Sequence, residues 1–547
     1  MAIELPEGYY LDNFQKLIGF VFEQYPDLLT GDEKKFYNDF QSCTLDVQRL
    51  YVRLISRKGP YFRSDKLHYS EIPQIQETLK SLASANFAVL NPAIDFELLL
   101  SLLLREELLE LAFPVFGGLK HLKKPEIIRA FLEEGNEDEI VVKIKERYSW
   151  ICPLRLKELL VYRLCFFGNL HQDLSEFVLL DLGMIRYEDY QIHQEDRYFQ
   201  ERRLLEKTLQ MHLLREWQNE VLVRGPENIL DFFEAIPEHQ NDRTLKRLHN
   251  RMTNTLARQL ERLEELESAT MLYEQSERPP SRERRSRILA KQNRIEEALA
   301  LCQSILNSPL SEEEFEFAER FSRRLRKQLG LPLQSLKSHR VLEEALVLSP
   351  TGDSVELQVV AHFRAKGNHA YFVENHLWRG MFGLAFWDIV FMPLRGAFFN
   401  LYQRGPKGLF TAEFREQRQE AIDERLNMIR EDPGWPGQVV ATFREKMGIS
   451  NTLVFWPILS EELIQLALCR IPRAHFAQIF DRLSRDLGNN RSGFPDLIIF
   501  PKEYYQLLEV KGPGDRLQQN QKRWIKFFHE YEIPYRVVNV TFSNDIP

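Results

Sequence analysis

Two stretches near the C-terminus decide the fold of this part of the chain: Gly493-Phe-Pro-Asp-Leu-Ile-Ile-Phe500 and Leu507-Leu-Glu-Val-Lys511. The apolar run Leu497–Phe500 and a second run, Tyr505–Val510, both have the composition that favours β-strands. Lys502–Tyr504 lies between them and would form the turn. The pattern therefore predicts a β-hairpin.

The hairpin would bring three charged side chains to one surface. Side chains alternate along a strand, so Glu509 and Lys511 share a face, and Asp496 lies at the start of the preceding strand. Two neighbouring carboxylates favour a hard divalent cation such as Mg²⁺ or Mn²⁺, because oxygen ligands suit the ion and it relieves their repulsion. Such an ion activates bound water and neutralises charge on a reacting phosphate. Lys511 could position the attacking water or stabilise the transition state.

A helix is predicted directly after the second strand. Asp515 is placed as its N-cap, with Gln518 at the third helical position. The apolar stripe of the helix consists of Leu517, Trp524, Ile525 and Phe528. Gln521 falls within this stripe, and a polar group facing the sheet needs a partner, which the carboxylate site would provide. The alternative is that Gln521 lies at a partly exposed edge of the stripe.

Length and composition predict several domains of a soluble, cytoplasmic protein. A chain of 547 residues is too long for one ordinary hydrophobic core. Its most apolar stretch, Leu98–Leu104, is far shorter than the roughly 20 residues that span a bilayer, and no secretory leader is expected. The five cysteines have no zinc-ligand or redox-motif spacing, so we expect them to be reduced.

The net charge of −8 at first argues against a nucleic-acid partner, but basic residues are bunched along the chain. A polyanion responds to local fields over about 10 Å rather than to the net charge. The alternative for each cluster is a solvated helix face. The three clusters are Arg49, Arg53, Arg57, Lys58 and Arg63; Arg282, Arg284, Arg285, Arg287, Lys291 and Arg294; and Arg323, Arg324, Arg326 and Lys327.

Three regions are predicted upstream of the hairpin. Residues 1–92 combine a helix ending near Lys58-Gly59-Pro60 with a short extended segment, which suits either a winged-helix-like DNA-binding unit or a helical scaffold. Residues 93–140 contain a compact two-helix pattern, with Leu98–Ala112 as the first helix and Pro125–Leu132 as the second. Residues 141–350 are predicted to be continuous helix pairs of the tetratricopeptide type, although no clean 34-residue repeat is found.

Basic residues also precede the second helix of the two-helix pattern. Helix N-termini favour phosphate, because backbone N–H groups and the helix dipole both attract anions. Lys120, Lys123 and Lys124 are therefore candidate DNA contacts. The other candidates are Arg57, Lys58, Arg63, Arg282, Arg284, Arg285 and Arg287.

The motif and its flanks resemble the VRR-NUC module of the PD-(D/E)xK nuclease superfamily. The resemblance rests on Gly493–Phe500 and on Leu507–Leu517 with Gln521 and Trp524. Within the superfamily the chain resembles the Fanconi-associated nuclease family, since the stretches Gly383–Phe391 and Pro279–Leu289 agree as well. The resemblance implies four regions: an N-terminal domain (1–92), a SAP-like domain (93–140), helical repeats (141–350) and an α/β nuclease domain (351–547).

The resemblance also implies an activity and further ligands. Enzymes of this family cut branched DNA near a 5′ flap, degrade DNA in the 5′→3′ direction and serve in interstrand-crosslink repair. A further metal-binding glutamate of the family corresponds to Glu374, which would open the helix that runs to about Phe391. The backbone carbonyl of Val510 would complete a metal shell of Glu374, Asp496 and Glu509, so branched DNA and Mg²⁺ or Mn²⁺ are the expected partner and cofactor.

This chain differs from the eukaryotic members of the family in the region that binds ubiquitin. Eukaryotic members carry an N-terminal extension with a ubiquitin-binding zinc finger, and this chain has no Cys/His cluster to build one. We therefore expect a bacterial, cytoplasmic enzyme; a eukaryotic member would act in the nucleus. Two other hypotheses are a restriction- or junction-resolvase-type nuclease on the same catalytic fold, and a non-catalytic DNA-binding scaffold. The long helical region argues against the first, and the complete set Glu374, Asp496, Glu509 and Lys511 against the second.

Overall fold

The computed structural model describes residues 8–112, 121–172, 185–239, 242–333 and 341–543. The chain forms two compact units, one of Met1–Ile185 with Phe199–Leu205 and one of Arg186–Tyr198 with Glu206–Pro547. None of the helices described in these ranges is long and apolar enough to cross a membrane.

The first unit begins with helices around an aromatic core and a small antiparallel sheet. Phe36, Phe40 and Tyr51 pack together in this core and are almost fully buried. The sheet has the strand order β1-β3-β2. The elements are α1 (Tyr9–Gln24), α2 (Gly31–Gln41), α3 (Leu45–Ile55), β1 (Phe62–Arg63), α4 (Ile75–Ser84), β2 (Ala88–Leu90), α5 (Phe96–Ser101), α6 (Arg105–Ala112), α7 (Lys124–Glu134), α8 (Glu137–Arg147), β3 (Trp150–Pro153) and α9 (Leu156–Phe167).

The two-helix pattern predicted for residues 93–140 differs in its first half. The expected single helix Leu98–Ala112 is two helices, α5 and α6, because the chain turns at 102–104. Glu107 accepts a hydrogen bond from the Leu104 amide (2.6 Å) and caps the second helix. The predicted helix Pro125–Leu132 is confirmed as part of α7. Four helices, α5 to α8, bury a separate apolar cluster that includes Leu100, Phe131 and Trp150.

The helical region is shorter than predicted. Continuous helix pairs were expected over 141–350, but strand β3 lies within this range, because Trp150–Pro153 pairs with both β1 and β2. The helices of the region are α10 (Arg202–Val221), α11 (Pro226–Glu234), α12 (Arg243–Arg262), α13 (Leu266–Glu274), α14 (Ser281–Lys291), α15 (Ile295–Asn307) and α16 (Glu312–Gln328). Apolar residues such as Leu256, Cys302 and Phe317 are buried between neighbouring helices.

The C-terminal region contains a five-stranded mixed sheet with helices around it. The strand order is β4-β8-β7-β6-β5, with β4, β8 and β7 parallel and β6 antiparallel to both of its neighbours. The elements are β4 (Glu343–Leu348), α17 (Val355–Ala365), β5 (His369–Phe372), α18 (His376–Ala385), α19 (Trp387–Val390), α20 (Glu413–Gln417), α21 (Gln419–Glu431), α22 (Trp435–Lys446), α23 (Glu461–Arg470), α24 (Arg473–Arg485), α25 (Leu487–Asn490), β6 (Leu497–Phe500), β7 (Gln506–Lys511), α26 (Gln519–Glu530) and β8 (Tyr535–Phe542).

The predicted hairpin is confirmed, and the sheet that contains it is buried on both faces. Leu497 lies opposite Leu508 across the β6–β7 pair. Ile498 and Leu507 belong to the large apolar cluster on one side of the sheet, whereas Leu497 and Leu508 belong to a smaller cluster on the other. A large apolar side chain contributes roughly 1.5–3 kcal/mol when fully buried, so this packing fixes the register of the hairpin.

Helix α26 begins later than the sequence predicts. Asp515 was expected as the N-cap, but the helix starts at Gln519, with Gln518 as its N-cap. Asp515 instead accepts a hydrogen bond from the Gly512 amide (3.1 Å) and closes the turn that follows β7. Trp524 anchors the helix, because its ring lies 4.0 Å from the ring of Phe494 and its N–H donates to the Ser492 carbonyl.

Candidate active site

Asp496 and Glu509 meet where strands β6 and β7 run side by side. Asp496 immediately precedes β6, and its Oδ2 accepts a hydrogen bond from the backbone N–H of Val510 (2.8 Å). Glu509 lies within β7 and is 2% exposed. The hairpin therefore places the two carboxyl groups together at one end of the β6–β7 pair, as its spacing predicts.

Lys511 and Gln521 hold the Glu509 side chain between them. The Lys511 ammonium lies 2.8 Å from Glu509 Oε1, and Gln521 Nε2 donates to the same oxygen at 2.5 Å. Gln521 Oε1 accepts from Lys511 Nζ (3.2 Å) and from the Gln518 backbone N–H (2.8 Å). Gln521 thus has partners in the carboxylate site and also stabilises the first turn of its own helix.

Burial opposes the ionisation of both the Asp496 and the Glu509 carboxyl groups. Desolvation raises the pKa of Asp496 to about 6, against the lowering effects of the Val510 hydrogen bond and the Lys511 charge. Desolvation and the neighbouring Asp496 raise the pKa of Glu509 to about 8, although Lys511 lowers it. A divalent cation between the two groups would stabilise both ionised carboxylates, so the site favours such an ion.

Glu374 approaches the site through its backbone. The amides of Val373 and Glu374 both donate to the Asp496 carbonyl, at 2.9 and 2.8 Å. Glu374 does not open a helix as predicted: it has a positive φ of 39° and precedes Asn375, the N-cap of α18. Its negative charge contributes to the raised pKa of Asp496, so the carboxylate acts on the same site.

Glu356 is an acidic residue that the sequence reasoning missed. It lies in the first turn of α17, and its charge raises the pKa of both Asp496 and Glu509. Acidic residues are common in the first turn of a helix because they interact favourably with the helix dipole. A glutamate just after the Ser354 N-cap therefore does not stand out in the sequence as a functional residue. The structure therefore adds a fourth carboxylate to the electrostatics of the site.

These donors fit a hard divalent cation that keeps part of its shell for water and substrate. Within the described ranges, no group of three acidic, histidine or cysteine side chains lies close enough to hold a metal ion. Mg²⁺ in particular is commonly bound by one or two carboxylates together with water and substrate phosphate oxygens. Asp496 and Glu509 would hold the ion, with the Val510 carbonyl and Glu374 as further candidate ligands.

Three of the predicted DNA contacts lie in the first helical region. Arg57 and Lys58 are exposed, and the Arg57 guanidinium donates to the Tyr69 hydroxyl (3.2 Å). Arg63 is 5% exposed, forms ion pairs with Asp65 and Glu107 and stacks on the Tyr148 ring. Arg63 therefore has a packing role in this structure, whereas Arg57 and Lys58 are accessible.

The three lysines predicted near the start of α7 differ in their surroundings. Lys120 lies outside the described residues. Lys123 is exposed at the N-cap of α7. Lys124 is partly buried, and its ammonium donates to the Ser101 carbonyl (2.7 Å). Of these three, Lys123 is placed as predicted for a phosphate contact.

The arginines of α14 are paired with carboxylates from several helices. The sequence shows only Glu283 as a nearby acid, which pairs with Arg287. The other partners lie farther from these arginines in the sequence, so the fold itself neutralises much of this charge, and the DNA contacts of the four arginines stay predictions. The ion pairs are Arg282–Glu314, Arg284–Glu261 and Arg285–Glu274.

A second group of arginines, of which the sequence prediction includes only Arg284, lines a cavity of about 820 Å³ in the second unit. Burial and the charges of Arg215 and Arg247 lower the pKa of Arg251, and burial with Arg247 and Arg251 lowers that of Arg278. Mutual repulsion of this kind is relieved by an anionic ligand. The lining includes Arg251, Arg258, Arg262, Arg278 and Arg284, together with Glu283, Glu313 and Asp486.

Two family models match this chain. The model described as "FAN1, HTH domain" matches residues 8–89. The model described as "VRR-NUC domain" matches residues 432–542, which include Asp496, Glu509, Lys511 and Gln521.

Relatives from bacteria, plants and animals are similar over nearly the whole chain. The Fanconi-associated nuclease 1 homolog of Pseudomonas aeruginosa is 34% identical, with 99% of this chain and 97% of the relative covered. The homolog of Arabidopsis thaliana is 24% identical, with 94% of this chain but 65% of the relative covered. The chain thus spans about two thirds of the plant relative.

The fold is also similar to that of solved DNA complexes. A crystal structure of paFAN1 bound to 2-nucleotide 5′-flap DNA with a gap has a TM-score of 0.88 and 32% sequence identity, and covers 99% of this chain and 100% of the solved chain. A second, with a 1-nucleotide 5′ flap, has a TM-score of 0.84.

Proposed function

The chain belongs to the Fanconi-associated nuclease family, and we propose that it is a 5′-flap endonuclease and 5′→3′ exonuclease that uses Mg²⁺ or Mn²⁺ in interstrand-crosslink repair. The family predicted from the sequence is confirmed by the full-length similarity to the Pseudomonas relative. Membership makes the chain a structure-specific DNA nuclease that depends on a divalent metal. The flap preference, the exonuclease polarity, the repair pathway and the identity of the ion are our proposals.

One observation carries the catalytic part of the proposal: the network of Asp496, Glu509, Lys511 and Gln521 at the end of the β6–β7 hairpin. A divalent ion held there would activate a water molecule and neutralise charge on the scissile phosphate. Asp496 and Glu509 would hold such an ion, and hydrogen bonds from Val510 and Gln521, of 2.8 and 2.5 Å, restrain their carboxyl groups.

Lys511 has a distinct part in the proposed reaction. Its ammonium is held 2.8 Å from Glu509 and 3.2 Å from Gln521, so its position is fixed before DNA binds. A fixed positive charge stabilises the extra negative charge of a phosphate under attack. Lys511 can also orient the attacking water, since an ammonium has three donors.

The flap preference is supported by two independent features. The fold similar to this chain has been solved with 5′-flap DNA, and the similarity extends over 99% of the chain. The cavity lined by Arg251 and Arg278 lies in the same compact unit as the carboxylate site and concentrates positive charge. Arginines bind phosphate through charge-assisted hydrogen bonds, so this cavity suits the backbone of a DNA arm.

Two competing hypotheses are less well supported. A restriction- or resolvase-type enzyme does not require helices α10–α16, whereas the Pseudomonas relative covers 99% of this chain, helices included. A non-catalytic scaffold has no need for two buried carboxyl groups with raised pKa values. We also propose a bacterial, cytoplasmic enzyme, because its substrate is chromosomal DNA and its 34% identity is to a bacterial relative.

The test is cleavage of end-labelled 5′-flap, 3′-flap, Holliday-junction and plain duplex DNA with Mg²⁺ or Mn²⁺. We expect cuts in the 5′-flap strand near the junction, 5′→3′ shortening of duplex ends and no reaction when the metal is chelated. Symmetrical cuts in the Holliday junction with an intact 5′ flap would favour the resolvase hypothesis. Binding without cleavage in either metal would favour the scaffold.

A further inference from the structure

The first turn of helix α18 lies directly beside the carboxylate site. The side chain of Asn375, its N-cap, accepts a hydrogen bond from the Phe494 amide (3.1 Å). The preceding residue, Glu374, donates its amide to the Asp496 carbonyl (2.8 Å). These bonds tie the start of α18 to the segment that carries Asp496. Side chains on this turn therefore lie close to the segment that carries Asp496.

An exposed aromatic side chain packs against this turn. Phe455 is 46% exposed, although its neighbours Leu453 and Val454 are buried. Its ring lies 4.7 Å from the His376 ring at an interplanar angle of 36°. The His376 ring therefore extends the aromatic surface beside Phe455. The free face of Phe455 remains available for stacking.

Two arginines near the same turn, Arg379 and Arg491, have no acidic partner among the residues that the structure describes. The Arg379 guanidinium donates to the Thr452 carbonyl (3.1 Å), while its Nε is buried and has no hydrogen-bond partner in the described part of the chain. Arg491 stacks on the Phe410 ring, with its guanidinium carbon 4.2 Å from the centroid. The charge that acts on Arg379 is the like charge of Arg491, which lowers the pKa of Arg379 together with burial.

This lack of acids contrasts with two other partly buried arginines of the unit, Arg415 and Arg482. Arg415 pairs with Asp423 (2.6 Å) and Asp481 (2.9 Å), and Arg482 with Glu312 (2.6 Å). Two neighbouring guanidinium groups without a carboxylate destabilise each other, and the donor left without an acceptor adds to that cost. An anion at this position would relieve both, and DNA phosphate is the anion that the site handles.

We propose that these four residues, His376, Arg379, Phe455 and Arg491, form a lip that positions the nucleotide next to the scissile bond. Phe455 stacks on the base of that nucleotide, and Arg379 and Arg491 hold a neighbouring phosphate. Stacking is tolerant of sequence and requires a base that has left the duplex, so the lip selects a single-stranded nucleotide at a junction. The inference rests on the proposed function and names how the same site recognises its strand.

The first test combines Phe455→Ala with a flap substrate that lacks one base beside the cleavage site. We expect Phe455→Ala to lower kcat/KM on the normal flap by about tenfold, because loss of one stacking contact has that order of effect. On the abasic flap the variant and the wild type should cleave equally. Phe455→Tyr should restore the normal rate, because it retains the ring.

The second test replaces a charged phosphate next to the scissile bond by an uncharged methylphosphonate. We expect Arg491→Ala to weaken cleavage of the normal flap and to have no further effect on the methylphosphonate substrate. Arg485→Ala is the matched control, because Arg485 is 70% exposed and pairs with Asp481. That variant should behave as wild type on both substrates.

Two further controls separate the lip from the catalytic site. Tyr504→Ala removes another exposed aromatic ring, 59% exposed in the β6–β7 turn at the opposite end of β6 from Asp496, and should not alter cleavage. The metal concentration that gives half-maximal cleavage of the abasic flap should be the same for Phe455→Ala and the wild type, because Phe455 does not hold the metal ligands in place. If Phe455→Ala lost the same factor in kcat/KM on normal and abasic flaps, or lost nothing on either, the proposal that the lip stacks on a base would be wrong. Wild-type enzyme that leaves flaps intact would instead overturn the proposed function.

Discussion

At the scale of single residues, Glu509 has the most constrained environment in the site. Its carboxyl group is 2% exposed, next to Asp496 and 2.8 Å from the Lys511 ammonium. The folded protein raises the pKa of this group to about 8, from an ordinary value of 4.5. An acid whose folded pKa is raised favours the folded state when protonated, so metal-free protein should lose stability as pH rises between these two values.

Glu509→Gln should remove this pH dependence. Glutamine keeps the shape and can still bond to Gln521, but it has no charge to desolvate. We expect the metal-free variant to unfold at a higher temperature than the wild type at pH 8, with the two nearly equal at pH 4.5. Thermal unfolding in chelator across this range checks the prediction. A variant less stable than the wild type at pH 8 would mean that the Lys511 ion pair outweighs desolvation.

Gln521 orients both Glu509 and Lys511, so its loss should act on catalysis through them. We expect Gln521→Ala to weaken metal-dependent cleavage by about 10–100-fold, the usual effect of removing a group that holds metal ligands in place. Metal titration of the cleavage rate is the measurement. Gln519→Ala is the matched control, because Gln519 lies on the same helix and bonds to Glu316 instead. Equal cleavage rates for Gln521→Ala and Gln519→Ala would show that Gln521 has no role in the active site.

The sequence allowed Gln521 to be recognised as part of this site, but it did not allow Glu356 to be recognised. Gln521 was recognisable because a polar residue interrupts an apolar stripe. Glu356 was not, since a glutamate in the first turn of a helix has an ordinary explanation. Its effect depends on how α17 packs against the sheet, which only tertiary structure determines.

At the scale of elements, the approach of α26 to the segment before β6 depends on Gly493. Its φ is +94°, and a Cβ at this position would lie 2.7 and 2.9 Å from the carbonyl carbon and oxygen of Asn520. Both atoms are backbone, so the helix itself would have to move. The hydrogen bonds of Gln521, the next residue, would move with it.

Gly493→Ala should therefore reduce both stability and cleavage. We expect a lower unfolding temperature and at least about a tenfold loss of cleavage rate, because displacement of a site by a fraction of an ångström has effects of this order. Gly437→Ala is the control, since a Cβ added to that glycine would meet no atom within 4 Å and its φ is ordinary. Wild-type behaviour of Gly493→Ala would contradict the tight packing of α26 on this segment.

Element boundaries were predicted well where apolar patterning determines them and poorly where a tertiary contact does. The β6–β7 hairpin follows from two apolar runs and a short turn. The break between α5 and α6 contains no glycine or proline to reveal it. It depends on Glu107, which caps α6 and pairs with Arg63, a residue far away in sequence.

At the scale of the whole molecule, charge separates the arginines that support the fold from those that suit DNA. The basic cluster of α14 looks free in the sequence because its partners, such as Glu261 and Glu314, lie on other helices. Apart from Arg284, the arginines of the Arg251 cavity form no cluster in the sequence, because they come from α12 and from the segment between α13 and α14. Family resemblance predicted the nuclease correctly. Sequence spacing could not show which carboxylates pair with the arginines of α14, nor which arginines meet at the cavity.

Arg251→Ala should therefore weaken 5′-flap binding and reduce its dependence on salt. Each lost phosphate contact lowers the slope of log affinity against log salt by about 1, through reduced counterion release. Arg282→Ala, which breaks the ion pair with buried Glu314, should instead lower stability and leave the salt slope unchanged. Fluorescence anisotropy with labelled flap DNA at several salt concentrations measures both slopes. A reduced salt slope for Arg282→Ala together with an unchanged slope for Arg251→Ala would contradict these two assignments.

The most direct test of the central claim is single-turnover cleavage of an end-labelled 5′ flap by wild type and Asp496→Asn, with DNA binding measured in parallel. Asparagine retains an acceptor for the Val510 amide but removes the charge that would hold the metal ion. We expect the variant to bind the flap with near wild-type affinity and its cleavage, in Mg²⁺ or Mn²⁺, to fall below detection. Cleavage at the wild-type rate by a pure Asp496→Asn preparation would contradict it.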